Sequence, residues 1–239
     1  MGKNILLIGS SGDIGSAIAR NLASEGYQLL LHYNQNKKVL EKVKQEIPDE
    51  AVLSEIQADL RDEQGVEKLL GQLVYTVDAV IFASGKASIG LFQDATESIM
   101  DEMIALHVKA PWKICNRILP EMIQKKNGKI ILITSIWGDA GASNEVIYSS
   151  VKGAQNSFVK ALAKEVALSG IAVNAVSPGF INTKMNQQLL PEEKELITKE
   201  IPANRAGTPE EVANAVSFLI SDKSGYIHGE ILNINGGWA

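Results

Sequence analysis

The 239-residue sequence predicts an α/β fold in one domain, 1–239, built on a doubly wound parallel sheet of about seven strands with helices on both faces. Short aliphatic runs alternate with longer segments whose apolar residues recur at helical spacing. No repeat or low-complexity linker interrupts this alternation. A glycine-rich turn follows the first aliphatic run, at the edge where such sheets bind ligands.

The predicted strands are short segments rich in aliphatic and β-branched residues, and the runs at 5–8 and 130–134 are unbroken, as expected for strands buried on both faces. They cover 3–9, 27–33, 51–58, 78–82, 130–134, 171–176 and 230–234. Helical spacing predicts helices over 16–24, 39–47, 62–74, 96–124, 146–168 and 209–220. Pro111 lacks a backbone donor and should kink or restart the long 96–124 helix. For the polar segment at about 180–205 we expect a mobile lid, with a pair of ordinary surface helices as the alternative.

Composition narrows the class of protein. The net charge of −5 argues against a nucleic-acid partner. The single cysteine, Cys115, excludes an internal disulfide and suits a reducing compartment. No apolar run approaches the roughly 18 residues of a spanning helix, and the N-terminus lacks the pattern of a signal peptide. We therefore expect a cytoplasmic protein without a membrane partner.

The glycine-rich turn carries the first functional signal. Gly9, Gly12 and Gly15 are spaced G-x-x-G-x-x-G between the first strand and the first helix. In this context the backbone N–H groups can approach a pyrophosphate, and the helix N-terminus favours its negative charge. The turn predicts a Rossmann fold that binds a dinucleotide; a merely tight turn is the alternative.

A hydroxyl, a phenol and an ammonium form the second signal. Ser135 follows a buried strand, and Tyr148 and Lys152 lie at i and i+4 on one predicted helix. A nearby ammonium lowers the pKa of a phenol, which can then act as a general acid. A chance pair on a solvated helix is the alternative.

The end of the second strand bears on the coenzyme. An acidic residue there would bind a ribose 2′-hydroxyl and favour NAD, but the chain has Asn34 followed by Lys37 and Lys38. This favours NADPH over NADH. Alternatively, the two lysines simply begin a solvated helix.

These features together resemble the short-chain dehydrogenase/reductase family over essentially the whole chain. The glycine turn, Asp59-Leu60, Ser135, the Tyr148–Lys152 pair and the 177–183 segment carry the resemblance. Within the family, 205–213 and the Gly236-Gly237 ending are similar to the 3-oxoacyl-acyl-carrier-protein reductases.

The resemblance implies roles for individual residues. Tyr148 would protonate the substrate oxygen, Lys152 would lower the pKa of Tyr148 and hold the nicotinamide ribose, and Ser135 would hydrogen-bond the carbonyl. The implied coenzyme contacts are Gly9, Ser11, Gly12, Asp13, Ile14, Gly15, Asn34, Asp59, Leu60, Ser84, Gly85, Tyr148, Lys152, Pro178, Gly179, Ile181 and Thr183. No metal is implied, and a homotetramer is expected.

Four departures distinguish the chain from the family pattern. Asp13 stands where glycine is usual, and Gly12 stands where a basic residue is frequent, which removes one usual NADPH contact. Ala83-Ser84-Gly85 replaces Asn-Ala-Gly. His107 aligns with a catalytic asparagine whose bound water relays protons towards the lysine. A histidine can also bind water and titrates near neutrality. We therefore include His107 among the catalytic candidates, with a structural histidine as the alternative.

Three functions remain open. The first is NADPH-dependent reduction of a 3-oxoacyl thioester on acyl carrier protein, which a basic edge of Lys125, Lys126 and Lys129 could bind. A simple solvated loop is the alternative for these three lysines, and the one that we favour. The second is reduction of the 5-aminopentanone modification on a lysine of elongation factor P, because motifs such as 32–34 and 106–108 resemble that branch. The third, a non-catalytic nucleotide-sensing scaffold, is disfavoured by the retention of Ser135, Tyr148 and Lys152.

Overall fold

A computed structural model describes residues 3–187 and 189–238. Seven parallel strands form one sheet in the order β3-β2-β1-β4-β5-β6-β7. The strands are β1 Asn4–Ile8, β2 Gln28–Tyr33, β3 Val52–Gln57, β4 Ala79–Phe82, β5 Gly128–Ile133, β6 Ile171–Pro178 and β7 Ile231–Ile234. The order reverses between β1 and β4, which creates the crevice where doubly wound sheets bind ligands. The predicted fold is confirmed.

Helices cover both faces of the sheet. They are α1 Asp13–Ser24, α2 Lys37–Gln45, α3 Glu63–Gly71, α4 Glu97–Ile104, α5 Ala110–Lys125, α6 Trp137–Ala140, α7 Val146–Val166, α8 Pro191–Glu200 and α9 Pro209–Ile220. One core cluster joins the sheet to α1 and α9 through residues such as Ile18 and Val216. The other joins the opposite face to α3, α5 and α7 through residues such as Ile114 and Val159. This two-sided burial explains why the central strands β1, β4 and β5 are largely apolar, whereas the edge strand β3 carries polar residues.

The break in the long helical pattern is a π-helical turn over Ala105–Lys109. Helix α5 continues directly from this turn, with α-helical backbone at Ile104 and Lys109, and Pro111 lies just after it. The predicted disturbance of the long helix is therefore a π-helical turn immediately before the proline, and the helix does not start afresh there. The carbonyl of His107 inside the turn accepts a 2.8 Å hydrogen bond from the side chain of Gln155 on α7.

The proposed lid, about 180–205, is more regular than its sequence indicates. It contains a short 3₁₀ turn, Lys184–Asn186, and then α8. Gln188 within it lies outside the described residues, as do Met1, Gly2 and Ala239. Within 3–187 and 189–238, no helix combines the length and apolarity needed to cross a membrane.

Candidate active site

The catalytic candidates meet at the carboxyl end of the sheet. Ser135 lies two residues beyond β5, and its side chain hydrogen-bonds that of Tyr148 on α7. One helical turn later, Lys152 places its Nζ 5.5 Å from the centroid of the Tyr148 ring. The same Nζ donates a 2.9 Å hydrogen bond to the carbonyl oxygen of Ile133. The structure therefore brings the three predicted side chains together.

Burial dominates the electrostatics of these groups. It raises the pKa of Tyr148 to about 12, against the hydrogen bond from Ser135, which lowers it. Burial also lowers the pKa of Lys152 to about 7. The expectation that Lys152 lowers the pKa of Tyr148 is therefore wrong for this structure. Both charged forms lose solvation, and the ammonium bonds a backbone carbonyl instead of the phenol oxygen.

His107 projects from the π-helical turn into the same region. Its ring lies edge-on to Tyr148, with 6.0 Å between centroids, and is 1% exposed. Nε2 lies 3.1 Å from the carbonyl oxygen of Lys86 and 3.3 Å from its amide nitrogen. The shorter contact favours the tautomer in which Nε2–H donates to the carbonyl, so Nδ1 is a bare acceptor. Nδ1 is buried and has no hydrogen-bond partner among the described residues.

The expected titration of His107 near neutrality is wrong. Burial, followed by the charge of Lys152, lowers its pKa to about 3. The ring is therefore neutral at ordinary pH, and any relay through it must use a neutral imidazole.

The glycine turn has the tight geometry that its sequence predicts. Gly9 has a φ of +86°, and a Cβ there would lie 2.6 Å from the amide nitrogen of Ser84. A Cβ at Gly15 would lie 2.1 Å from the carbonyl oxygen of Gly9. Glycine is thus required at both positions, and the turn packs directly against Ser84-Gly85.

The N-terminus of α1 fits a phosphate group. Gly12 is its N-cap and supplies no capping side chain, so the first-turn amides, near Ser11 and Ile14, are available to an anion. Asp13 opposes this, because it adds negative charge to the first turn. Its carboxylate accepts a 2.6 Å hydrogen bond from the amide of Lys184, next to Thr183. The unusual aspartate therefore ties the start of the proposed lid to the glycine turn.

The adenosine-side candidates also lie together. The carboxylate of Asp59 accepts several hydrogen bonds from Arg61 and one from Asn34, and these lower its pKa to about 2. Leu60 beside it is buried. Lys37 and Lys38 are exposed at the start of α2.

The end of β6 holds the remaining coenzyme candidates. Pro178 is the last residue of β6, and a Cβ at Gly179 would lie 2.9 Å from that of Asn235. Ile181 is buried and forms an isolated parallel bridge with Gly207. Residues 3–187 and 189–238 contain no cluster of three or more His, Cys, Asp or Glu side chains suited to a metal.

Sequence reasoning missed an aromatic and acidic group beside Tyr148. The rings of Trp137 and Trp238 meet edge to face, with 5.0 Å between centroids. The half-buried carboxylate of Glu145 accepts a hydrogen bond from Trp137, and burial raises its pKa. Its charge also acts on Tyr148. The sequence signal for this group was proximity along the chain: Trp137 lies two residues after Ser135, and Glu145 lies three residues before Tyr148.

The expected basic edge is smaller than predicted. Lys129 directs its Nζ into the C-terminal end of α9, where it donates to Leu219 O at 3.0 Å and Ser221 O at 2.7 Å. Lys125 pairs with Glu121 at 2.9 Å. The prediction that Lys129 offers its charge to a carrier protein is wrong, because this lysine caps a helix.

With this geometry established, comparison with known proteins identifies the family. A family model described as Enoyl-(Acyl carrier protein) reductase matches residues 9–239. The chain belongs to the short-chain dehydrogenase/reductase family. It is an oxidoreductase of that family, which confirms the resemblance.

Three relatives illustrate the similarity. Uncharacterized oxidoreductase YmfI of Bacillus subtilis (strain 168) is 47% identical over 242 residues, which cover 100% of this chain and 99% of that protein. The 3-oxoacyl-[acyl-carrier-protein] reductase FabG of Staphylococcus epidermidis is 34% identical, covering 99% of each. The crystal structure of 3-oxoacyl (acyl-carrier-protein) reductase from Agrobacterium tumefaciens C58 with NADP bound is 25% identical. It has a TM-score of 0.92 and covers 99% of this chain and 94% of that one.

Proposed function

We propose that the protein is an NADPH-dependent ketone reductase that converts a 3-oxoacyl thioester, such as 3-oxoacyl-acyl carrier protein, into its 3-hydroxyacyl form. The observation that carries the proposal is the hydrogen bond between Ser135 and Tyr148 with Lys152 beside it. The similarity to proteins named 3-oxoacyl-acyl-carrier-protein reductase supports this substrate class.

In the proposed mechanism each side chain handles a proton or orients the carbonyl. A reduced nicotinamide, when bound, would supply a hydride to the carbonyl carbon. Tyr148 donates its phenolic proton to the carbonyl oxygen, and Ser135 orients that oxygen by a hydrogen bond. Lys152, with a pKa of about 7, can return a proton to Tyr148 at neutral pH. The bare Nδ1 of His107 accepts a hydrogen bond from a water that passes protons to Lys152.

The proposed coenzyme preference depends on the adenosine side. No acidic residue follows β2, where the chain has Asn34, and the exposed Lys37 and Lys38 suit a 2′-phosphate. A relative with bound NADP supports the same choice. We expect a lower KM for NADPH than for NADH. The reverse order would contradict our interpretation of 34–38.

A second candidate function is reduction of the 5-aminopentanone group on a lysine of elongation factor P. Glu145 favours it, because this half-buried carboxylate lies near Tyr148 and has no cationic partner within the described part of the chain. A substrate amine would supply that missing charge.

Turnover of two substrates separates the candidates. The wild type and Glu145→Gln are assayed for NADPH consumption with acetoacetyl thioester and with aminopentanone-modified elongation factor P. Faster turnover of the thioester, with little effect of Glu145→Gln, supports the first candidate. Faster turnover of the modified factor, with loss in the variant, supports the second. If the protein consumes no NADPH with either the thioester or the modified factor, the non-catalytic scaffold is favoured.

We also propose that the domain spans 1–239, that 180–205 act as a lid, and that the protein is a cytoplasmic homotetramer.

Trp112 on α5 is 48% exposed and packs on Phe158 of α7, with 6.3 Å between ring centroids. The two helices therefore present an aromatic surface that a second copy could cover. Light scattering tests this assembly: a tetramer is expected, and Trp112→Glu should yield smaller species.

A further inference from the structure

His32 is a buried histidine whose two ring nitrogens both bond the backbone of neighbouring strand ends. It lies near the end of β2 and is 2% exposed. Nδ1 is 3.1 Å from the amide nitrogen of Gly9, after β1. Nε2 is 3.1 Å from the carbonyl oxygen of Ala58, after β3. The ring therefore links three adjacent strands at the edge that carries the coenzyme candidates.

The partners determine the tautomer. An amide N–H can only donate, so Nδ1 must be the unprotonated acceptor for Gly9. The proton then resides on Nε2, where it donates to Ala58, which offers only an acceptor. Burial lowers the pKa of His32 to about 4, which keeps this neutral form at ordinary pH. Every hydrogen-bonding group of the ring is used.

The backbone of His32 adds further contacts to the same turn. Its carbonyl oxygen accepts hydrogen bonds from the amide of Ser10 at 2.9 Å and from the hydroxyl of Ser10 at 2.8 Å. His32 therefore restrains both Gly9 and Ser10, at the start of a turn that has a left-handed φ and little free space. On its other side, the bonded Ala58 immediately precedes Asp59, an adenosine-side candidate.

We propose that His32 is a positioning residue for dinucleotide binding, which acts by holding the Gly9–Gly15 turn through Gly9 and does not touch the ligand. The inference rests on the proposed function for the identity of the ligand. The bond to Gly9 sets the conformation of the phosphate-binding turn, whereas the bond to Ala58 holds β2 to β3. The two bonds should therefore differ in their effect on coenzyme affinity.

Two conservative variants separate the two bonds. The side-chain oxygen of asparagine can occupy the position of Nδ1, so His32→Asn keeps an acceptor for Gly9 and loses the bond to Ala58. The amide nitrogen of glutamine reaches the position of Nε2, so His32→Gln keeps a donor for Ala58 and loses the bond to Gly9. Each variant loses one buried hydrogen bond, so a purely structural role predicts equal effects. His32→Val, which suits a central strand, removes both bonds.

The experiment measures the Kd of NADPH and of NADH by coenzyme fluorescence, together with Tm, KM and kcat. We expect His32→Gln and His32→Val to raise the Kd about tenfold, and His32→Asn to change it less than about twofold. In His32→Asn and His32→Gln, Tm should fall by similar amounts, and kcat at saturating coenzyme should stay within about twofold of wild type. If His32→Gln fails to fold, the Kd of His32→Val is compared with that of His32→Asn, the variant that keeps the bond to Gly9.

Equal Kd values for His32→Asn and His32→Gln, or an unchanged Kd in His32→Val, would overturn the inference. Wild-type coenzyme binding without ketone turnover would overturn the proposed function alone, because the Kd comparison does not need a substrate. A wild type that binds neither dinucleotide would overturn both.

Discussion

The two buried histidines of this chain have similar burial and different bonding. His32 is 2% exposed and His107 is 1% exposed, and burial lowers the pKa of both. His32 has a backbone partner for each ring nitrogen, whereas Nδ1 of His107 has none among the described residues. A ring with both nitrogens paired acts only through the backbone that it holds, while a ring with one bare acceptor can still bind a water or a substrate.

The same difference extends to the surrounding regions. Buried side-chain atoms without a partner in the described part of the chain belong to Ser54, His107, Gln155, Asn156 and Ser177. All but Ser54 lie on α7, at the end of β6 or in the π-helical turn, beside the catalytic candidates. We call the region around Ser135, Tyr148 and Lys152 the substrate side. Leaving buried polar atoms unpaired there costs stability, as is expected where such atoms take part in binding or catalysis.

The largest expected effect is on the substrate side, at Tyr148. Tyr148→Phe keeps the ring beside His107 and removes the proton donor. We expect kcat to fall by about 10³-fold with the Kd of NADPH nearly unchanged. NADPH consumption and coenzyme fluorescence measure the two quantities. Tyr27→Phe, far from the site, is the matched control, and equal rates for wild type and Tyr148→Phe would exclude a catalytic role for Tyr148.

Lys152→Met should lower kcat about 100-fold and yet raise stability at neutral pH. The pKa of Lys152 is about 7 in the fold and about 10.4 in an unfolded chain, so the unfolded chain binds more protons between these values. Wild-type stability therefore rises with pH through this window, and the full cost of the buried charge is present below pH 7.

The measurement is unfolding by denaturant across that pH range. Lys152→Met should be more stable than wild type near pH 7, and the difference should shrink by up to about 1.4 kcal/mol per pH unit as the pH rises to about 10. Lys160→Met, at an exposed position of α7, should show no such dependence. A Lys152→Met protein less stable than wild type at pH 7 would contradict the cost of burial.

His107 tests the comparison of the two histidines. His107→Asn restores the usual family residue and an acceptor, so kcat should stay within about threefold of wild type. His107→Leu removes the acceptor and should lower kcat at least tenfold, about the contribution of a weak proton relay. Its stability should change little, because the loss of the bond to Lys86 is offset by removal of an unpaired nitrogen. Full activity in His107→Leu would show that this histidine takes no part in proton transfer.

The smallest expected effect is at Asp13, on the nucleotide side. Asp13→Asn removes a negative charge from the first turn of α1 and keeps an acceptor for the amide of Lys184. We expect the KM for NADPH to fall about threefold, since the helix N-terminus then attracts the pyrophosphate without opposition. Asp49→Asn, at a distant exposed position, is the control. A KM that rises would mean that the aspartate assists binding.

The features predictable from the sequence are local. The aliphatic runs identify the strands, and the i, i+4 spacing of Tyr148 and Lys152 places both on one helix face. The tight turn at Gly9 and Gly15 could be predicted from the glycine spacing, because the conformation and close packing of the turn leave no room for a side chain at these positions. Each of these signals depends on neighbouring residues and on the regular geometry of strands and helices.

The features that sequence reasoning missed depend on distant contacts. The bond from Gln155 to His107 spans 48 residues, and the bond from Lys129 to Leu219 spans 90. Trp137 meets Trp238 only because the chain after β7 lies at the same edge of the sheet at which β5 ends. The pKa values of Tyr148 and His107 differ from expectation because burial, a property of the whole fold, is the largest cause of both shifts.

A crystal structure with NADP⁺ bound is the most direct test of the central claim that Tyr148 gives its proton to a carbonyl reduced at the nicotinamide. The account predicts that the Tyr148 hydroxyl and C4 of the nicotinamide face one common space, with Ser135 at its edge. A nicotinamide bound elsewhere, with the Tyr148 hydroxyl directed into bulk solvent, would contradict the account.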